Sequence, residues 1–298
     1  MHQPPKPLAA NLFCFSGMMM WSVGFPLNEI LLESWDPLAL ITVRQTLGGA
    51  FMIAIWICMD GLKTVIRAPW IRGIRVGGIG FGFGSYLFLL GQEMANAVTP
   101  AIAAAMMPVI AAIIEVLFDR RRLTLKIVVA ITLVLIGGFL AANIGVQDAQ
   151  FGIGTLLCVT GVVLFAWATR SATKRFSELS STGGAAITIG GGVVGILLMY
   201  ALALAFDLPQ TDFGKLDPTT LSILLLCSCI CIGLSQLFWI YGVAGLGIMI
   251  ASFHMNAVPF YVMAIVVLFM GQTWNWTQAL GAGLVAVAVM LSQSRNRH

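Results

Sequence analysis

Two stretches of the sequence carry the same pattern, MMPVIAAIIEVLF at residues 106–118 and NAVPFYVMAIVVLF at residues 256–269. Pro108 and Pro259 stand 151 residues apart, and each stretch ends in Val-Leu-Phe. A second pair, SYLFLL from residue 85 and SQLFWI from residue 235, matches at an offset of 150 residues. Because the two pairs keep their order and nearly the same offset, the sequence predicts an internal repeat of half the chain.

Composition places this repeat in a membrane. The chain has 298 residues, of which 59% are hydrophobic and 9% charged, and its mean hydropathy is +0.95. Soluble domains are about 25% charged, so these residues cannot cover a water-facing surface. A bilayer core about 30 Å thick needs roughly 20 apolar residues per helix. We expect an all-α integral membrane protein whose ten transmembrane helices lie near 9–27, 38–58, 73–92, 96–118, 125–145, 151–169, 183–206, 219–242, 246–270 and 276–292.

The distribution of positive charge predicts the orientation. If the amino terminus is cytoplasmic and ten spans alternate, every lysine and arginine except Arg44 and Lys215 falls in a cytoplasmic segment. Lysine and arginine bias sets topology, so we expect both termini in the cytoplasm. The net charge of +4 is then explained by the orientation in the membrane and does not indicate nucleic-acid binding. The expected partners are a lipid bilayer and a small-molecule substrate, with no obligate protein partner evident.

The repeat unit is expected to hold five helices, residues 1–148 in the first unit and 149–298 in the second. Because five is odd, the second unit enters the membrane upside down relative to the first. Inverted repeats of this kind are typical of secondary transporters, whose substrate site lies near the midplane between the halves. The predicted mechanism is alternating access through a central cavity.

The sequence resembles the drug/metabolite transporter superfamily, EamA type. Trp21 in MMMWSVG, Arg44 in DPLALITVRQTLGGA, and the segments around Pro108 and Pro259 carry the resemblance. It implies ten helices in two inverted repeats and a bacterial inner-membrane location, and the chain looks most similar to the YddG-type amino acid exporters. The family's Gly-Glu pairs after the proline segments are not kept, because Arg121 and Gln272 stand at the glutamate positions.

Four polar residues are candidates for substrate binding. Arg44 lies roughly 10 Å into the second span and suits a substrate carboxylate, with snorkelling or an acidic partner as the alternative. His254, at mid-depth of the ninth span, is the candidate for proton binding, because the histidine pKa is near neutrality; a structural role is the alternative. Asn256 follows it closely, and Gln236 would present an amide from the eighth span.

Two aromatic residues, Trp21 and Tyr86, lie deep in the first and third spans and are expected to line the cavity. Pro108 and Pro259 each remove a backbone hydrogen bond near mid-span, which indicates hinges, although passive kinks are the alternative. In the third span, Gly80 and Gly84 belong to a stripe with residues 73 and 77 at helical spacing. Such stripes let helices approach closely in lipid, and we expect these glycines to permit helix movement.

The polar groups also restrict the substrate class. Phosphorylated substrates call for several buried cations, and organic cations call for a buried carboxylate. One arginine with amides and aromatics favours a small zwitterion, and aromatic or hydrophobic amino acids fit it best. The alternatives are another substrate class of the same superfamily (nucleotide sugar, nucleobase, vitamin or drug), a channel, or an intramembrane enzyme, for which no catalytic motif is found. No catalytic residue, metal or cofactor is expected, and proton coupling stays open.

Overall fold

The computed structural model describes residues 7–119, 125–141, 149–246, 251 and 254–293, and throughout these residues the regular structure is helical. The helices of the first half are α1 (Pro7–Leu32), α2 (Pro37–Asp60), α3 (Trp70–Glu93), α4 (Val98–Ala105, then Met107–Asp119) and α5 (Leu125–Ala141). Those of the second half are α6 (Ala149–Arg175), α7 (Ser181–Ala205), α8 (218–246), α9 (Val258–Met270) and α10 (Trp276–Gln293). A short helix, Leu62–Arg67, joins α2 to α3.

The helices are those of a multi-pass membrane protein. Six of the described helices, α1, α2, α3, α6, α7 and α8, are long and apolar enough to cross a bilayer. The two parts of α4, bent by 41°, make a seventh if they form one span, and α5, α9 and α10 contain shorter apolar helices. Each of the ten predicted runs therefore overlaps a described helix, while the number of crossings stays a prediction.

The same two irregularities occur in the same order in both halves. A π-helical segment interrupts α3 at Gly78–Phe83, and another interrupts α8 at Leu226–Leu234. The next helix is then broken in each half, at Met106 in α4 and at residues 256–257 directly before α9. These positions match at the sequence offset of about 150 residues, so the weak sequence repeat corresponds to repeated backbone geometry.

The halves interlock through their third helices. α3 lies between α6 and α7 of the second half, and α8 lies between α1 and α2 of the first half. Glycines permit the insertion of α8: Gly17 of α1 lies against the Ser235 carbonyl, and Gly48 of α2 lies against the Ser228 carbonyl. α5 packs along α10. Small residues at such contacts allow backbones to approach where lipid supplies no hydrophobic driving force.

The predicted glycine stripe of α3 is wrong in its register. Gly73 and Gly77 face α7, where an added Cβ would overlap Ile187 and the Thr188 backbone. Gly80 and Gly84 instead face Leu164, Phe165 and Ala168, which are all on α6. The sequence spacing assumed a uniform α-helix, whereas the π-helical segment adds a residue to the turn and rotates everything after it. α3 thus presents one glycine surface to each of two neighbours.

Candidate functional site

The two broken helices define the candidate site. Pro108 is the second residue of the helix Met107–Asp119, and Pro259 is the second residue of α9. A proline in the first turn has no intrahelical N–H bond to lose, and its ring prevents the preceding turn from continuing as helix. The sequence expected prolines inside continuous spans; the structure places each one directly after an interruption. Their predicted hinge role stays a prediction.

Aromatic side chains surround both interruptions. Met106 and Val258 belong to one buried cluster, which we call the central cluster, together with residues of α1, α5, α6 and α10. Trp21 packs on this cluster and meets the Phe25 ring at 5.2 Å between centroids. The partly buried side chains that also pack on it include Phe88, Phe165, Trp167, Trp239 and Met255. The expectation that Trp21 lines a substrate cavity stays a prediction.

Asn256 supplies a polar group at the break that precedes α9. Its side chain is 7% exposed, and its Oδ1 atom has no hydrogen-bond partner among the described residues. A buried amide oxygen without a partner costs free energy of about 1–3 kcal/mol, so such groups commonly await a ligand or water. Asn256 therefore has an acceptor available beside the central cluster.

Arg44 is also buried without full pairing. It is 6% exposed, its Nε atom has no partner within the described residues, and its charge acts on the thiols of Cys227 and Cys231 in α8. Cys231 packs against Gly24 of α1, one turn from Trp21. Arg44 of α2 therefore lies near the Cys227–Cys231 turn of α8, and α8 in turn packs on α1.

Tyr86 does not join this group. Its hydroxyl donates to Gln210 Oε1 at 2.6 Å, in the connection between α7 and α8, and its ring packs on a second cluster that contains Leu31 and Cys227. Gln236 is half-buried in α8, next to Ser235 in the α1 contact. Tyr86 therefore holds the connection between α7 and α8 against α3.

His254 contacts α1 near the point where that helix begins. Its Nε2 atom is 3.1 Å from Asn11 Oδ1, and Asn11 is the fifth residue of α1. Counting along the sequence put His254 at mid-depth, whereas its partner is close to one end of the bundle. We call this end the N-terminal face and the end where α1 finishes the opposite face.

Polar contacts at the opposite face escaped sequence reasoning. Gln92 donates to the Phe25 carbonyl at 2.6 Å and accepts from Asn28 at 3.3 Å, which ties α3 to α1. Glu29 Oε1 lies 3.5 Å from Gln272 Nε2. Gly271, with φ of +68°, ends α9 in a left-handed turn that only glycine adopts easily, and this turn positions Gln272. Arg121, the other departure from the family pattern, lies outside the described residues.

One residue that packs on the central cluster had a signal in the sequence. The partly buried Phe88 is the fourth residue of SYLFLL, and the repeat pairs it with Phe238 of SQLFWI. Glu29 and Asn28 had no such signal, because a polar residue near a helix end is ordinary at a membrane boundary. Over the described ranges, no three histidine, cysteine, aspartate or glutamate side chains converge as a metal site would require.

Comparison with known proteins assigns the family. The EamA-like transporter family matches residues 8–143 and again residues 152–293. One solved crystal structure of a protein covers 97% of this chain and 97% of its own, with a TM-score of 0.68 and 16% identity, which shows a shared fold. No curated protein sequence matches. The chain therefore belongs to the EamA-like transporter family of the drug/metabolite transporter superfamily, as a multi-pass membrane transporter.

Proposed function

We propose that the protein exports neutral amino acids with aromatic or large hydrophobic side chains across the bacterial inner membrane, with both termini in the cytoplasm. The observation that carries this proposal is the meeting of two broken helices in the central cluster, on which several aromatic side chains pack, with the unpaired Asn256 oxygen beside it. Broken helices leave backbone groups free to bind substrate, as the discontinuous helices of transporters do. Trp21 and Trp239 would contact the apolar side chain of the amino acid.

The charge inventory supports a zwitterion. Among the described residues, Arg44 is the charged side chain that is buried. A single guanidinium can pair with one carboxylate, whereas a sugar phosphate or nucleotide carries more negative charge than it balances. The unpaired Asn256 oxygen would accept a hydrogen bond from the substrate ammonium group. An organic cation lacks the carboxylate that Arg44 would bind.

The interlocked halves support alternating access as the mechanism. α3 and α8 each lie between two helices of the other half, so a shift of one half moves the walls on both sides of the central cluster. The break before Pro108 lets the two parts of α4 tilt separately. The break before Pro259 lets α9 tilt relative to the residues that precede it. The cluster would then open to one face at a time.

The test is counterflow in proteoliposomes loaded with unlabelled substrate. Labelled phenylalanine, leucine, glutamate, a nucleotide sugar, a nucleoside and an organic cation are supplied outside in parallel. We expect saturable entry of phenylalanine and leucine that depends on the internal pool. Entry of one of the other compounds alone would replace the amino acid proposal, and non-saturable entry of all would indicate a pore. Liposomes without protein provide the baseline.

A further inference from the structure

Polar side chains connect α1 at both faces to the segment 254–272, which contains α9 and the residues on either side of it; we call this segment the α9 span. His254 meets Asn11 at the N-terminal face, and Gln272 meets Glu29 at the opposite face. Both pairs are 243 residues apart in sequence, so the two segments run parallel and in register between these points. The rings of Phe15 and Tyr261 join them in between, at 5.8 Å. We call this line of contact the α1–α9 seam.

Glu29 joins the opposite end of this seam to the end of α9. One carboxylate oxygen lies 3.5 Å from the Gln272 amide, directly after α9. The backbone of Ala97, directly before α4, lies near the same carboxylate. Its second oxygen, Oε2, is buried and has no partner among the described residues. Glu29 thus links α1 to the end of α9 beside the start of α4 and keeps one oxygen available.

We propose that Glu29 is a proton-binding residue of the transport cycle, and that its ionised form keeps the opposite face closed. The inference rests on the proposed function, since it assigns a regulating ion to the same cycle. The ionised carboxylate accepts a charge-assisted bond from Gln272, and such a bond is about twice as strong as a neutral one. A proton on Oε2 removes this assistance and the attraction to the start of α4, so the seam loosens.

Within the part of the chain that the structure describes, Glu33 is the charged group that acts on Glu29. Its carboxylate follows four residues later, directly after α1, and repels the Glu29 charge. The groups from the other two elements, the Gln272 amide and the Ala97 backbone, are uncharged. The identity of residue 272 affects the charge near Glu29, because the family that the sequence resembles has glutamate at this position. A carboxylate there would face Glu29 and repel it, whereas the amide donates a hydrogen bond.

The contact at the N-terminal face responds differently to acid. Asn11 Nδ2 donates to the Pro7 carbonyl at 2.9 Å, so Asn11 Oδ1 faces His254 and accepts from its Nε2–H group. Protonation of His254 would add a proton at Nδ1 and leave this bond in place. Acid therefore opens the opposite face and leaves the N-terminal face closed.

The test measures the seam directly, by the distance between spin labels at Ser34→Cys and Thr273→Cys, both exposed positions at the opposite face. The exposed Cys58 and half-buried Cys229 are replaced by serine, and the full chain is held in nanodiscs without substrate. The pH is lowered from about 8 to about 4, which brackets the ordinary glutamate pKa of about 4.3. We expect the distance to lengthen on acidification.

Variants separate Glu29 from other titrating groups. Glu29→Gln should hold the long distance at every pH, Gln272→Leu should do the same, and the control Glu33→Gln should keep the pH response. A protein without a pH response, or a response that survives in Glu29→Gln, would overturn the inference. Counterflow on the same preparation tests the proposed function separately: a pH-dependent distance with no amino acid counterflow would reject the substrate and keep the Glu29 gate.

Discussion

Pro108 and Pro259 occupy equivalent positions in the two halves, each as the second residue of a helix that begins directly after a break. The repeated arrangement means that the breaks belong to the fold and are not local accidents of one helix. A first-turn proline is compatible with helix geometry, so the prolines stabilise the interrupted form without straining it.

Replacing both prolines by alanine should slow transport with little loss of stability. Alanine restores an N–H group and lets the helix run through the break, which removes the flexible point in α4 and in the α9 span. Counterflow rates and thermal midpoints in detergent measure the two effects. Pro100→Ala, in the first turn of α4 but away from the break, is the matched control. Wild-type counterflow rates in the double variant would contradict a hinge role.

Gly80→Ala should destabilise the protein by about 2 kcal/mol, because the new methyl group overlaps the Ala168 side chain on α6. Ala168→Gly in the same chain should restore much of the loss by making room. Gly283→Ala on α10, where an added Cβ meets nothing within 4 Å, is the control and should raise stability by about 0.5–1 kcal/mol. Equal midpoints for Gly80→Ala and wild type would rule out this packing.

Trp21→Ala should weaken binding of aromatic amino acids roughly fivefold, because an aromatic contact contributes about 1 kcal/mol. The expected change is in the KM for phenylalanine, with a smaller change for alanine. Trp276→Ala removes a tryptophan that is 74% exposed and should leave the KM unchanged. A fall in expression with no change in KM would instead make Trp21 a packing residue.

Arg44→Gln should raise the KM for phenylalanine roughly thirtyfold, as expected when a charge-assisted bond of about 2 kcal/mol is lost. The corresponding amine, which has no carboxylate, provides the discriminating comparison. The wild-type protein should prefer the amino acid, and the variant should lose this preference. If Arg44→Gln alters both compounds equally, Arg44 supports the α2–α8 packing instead.

Gln272→Glu should destabilise the protein by about 1 kcal/mol near neutral pH, because two carboxylates then face each other. Repulsion favours protonation, so the carboxyl pair gains a proton more readily in the folded state. The thermal midpoint of the variant should therefore lie below wild type at high pH and converge with it below the unfolded glutamate pKa of about 4.3. Gln272→Ala, which adds no charge, should show no such convergence. A constant difference across pH would exclude repulsion from Glu29.

The residue pattern alone predicted much of the fold. Apolar runs bounded by charges gave segments that each overlap a described helix, because a bilayer restricts span length, although α9 begins at Val258 and not at 246. The pairing of Pro108 with Pro259 indicated the repeat, and the family comparison found it again as two matching stretches. Trp21 packs on the central cluster, and its expected role in substrate binding stays a prediction.

The rest depended on which helices become neighbours. The π-helical segments rotate the second half of α3, so Gly80 faces α6 although helical spacing groups it with Gly77. Tyr86 donates a hydrogen bond to Gln210, and His254 contacts Asn11. Both partners come from distant parts of the chain. Sequence determined the apolar spans and the repeat because burial in lipid acts on each segment separately. Tertiary structure decided the register, the seam and the role available to Glu29, because these depend on pairs of residues that only packing brings together.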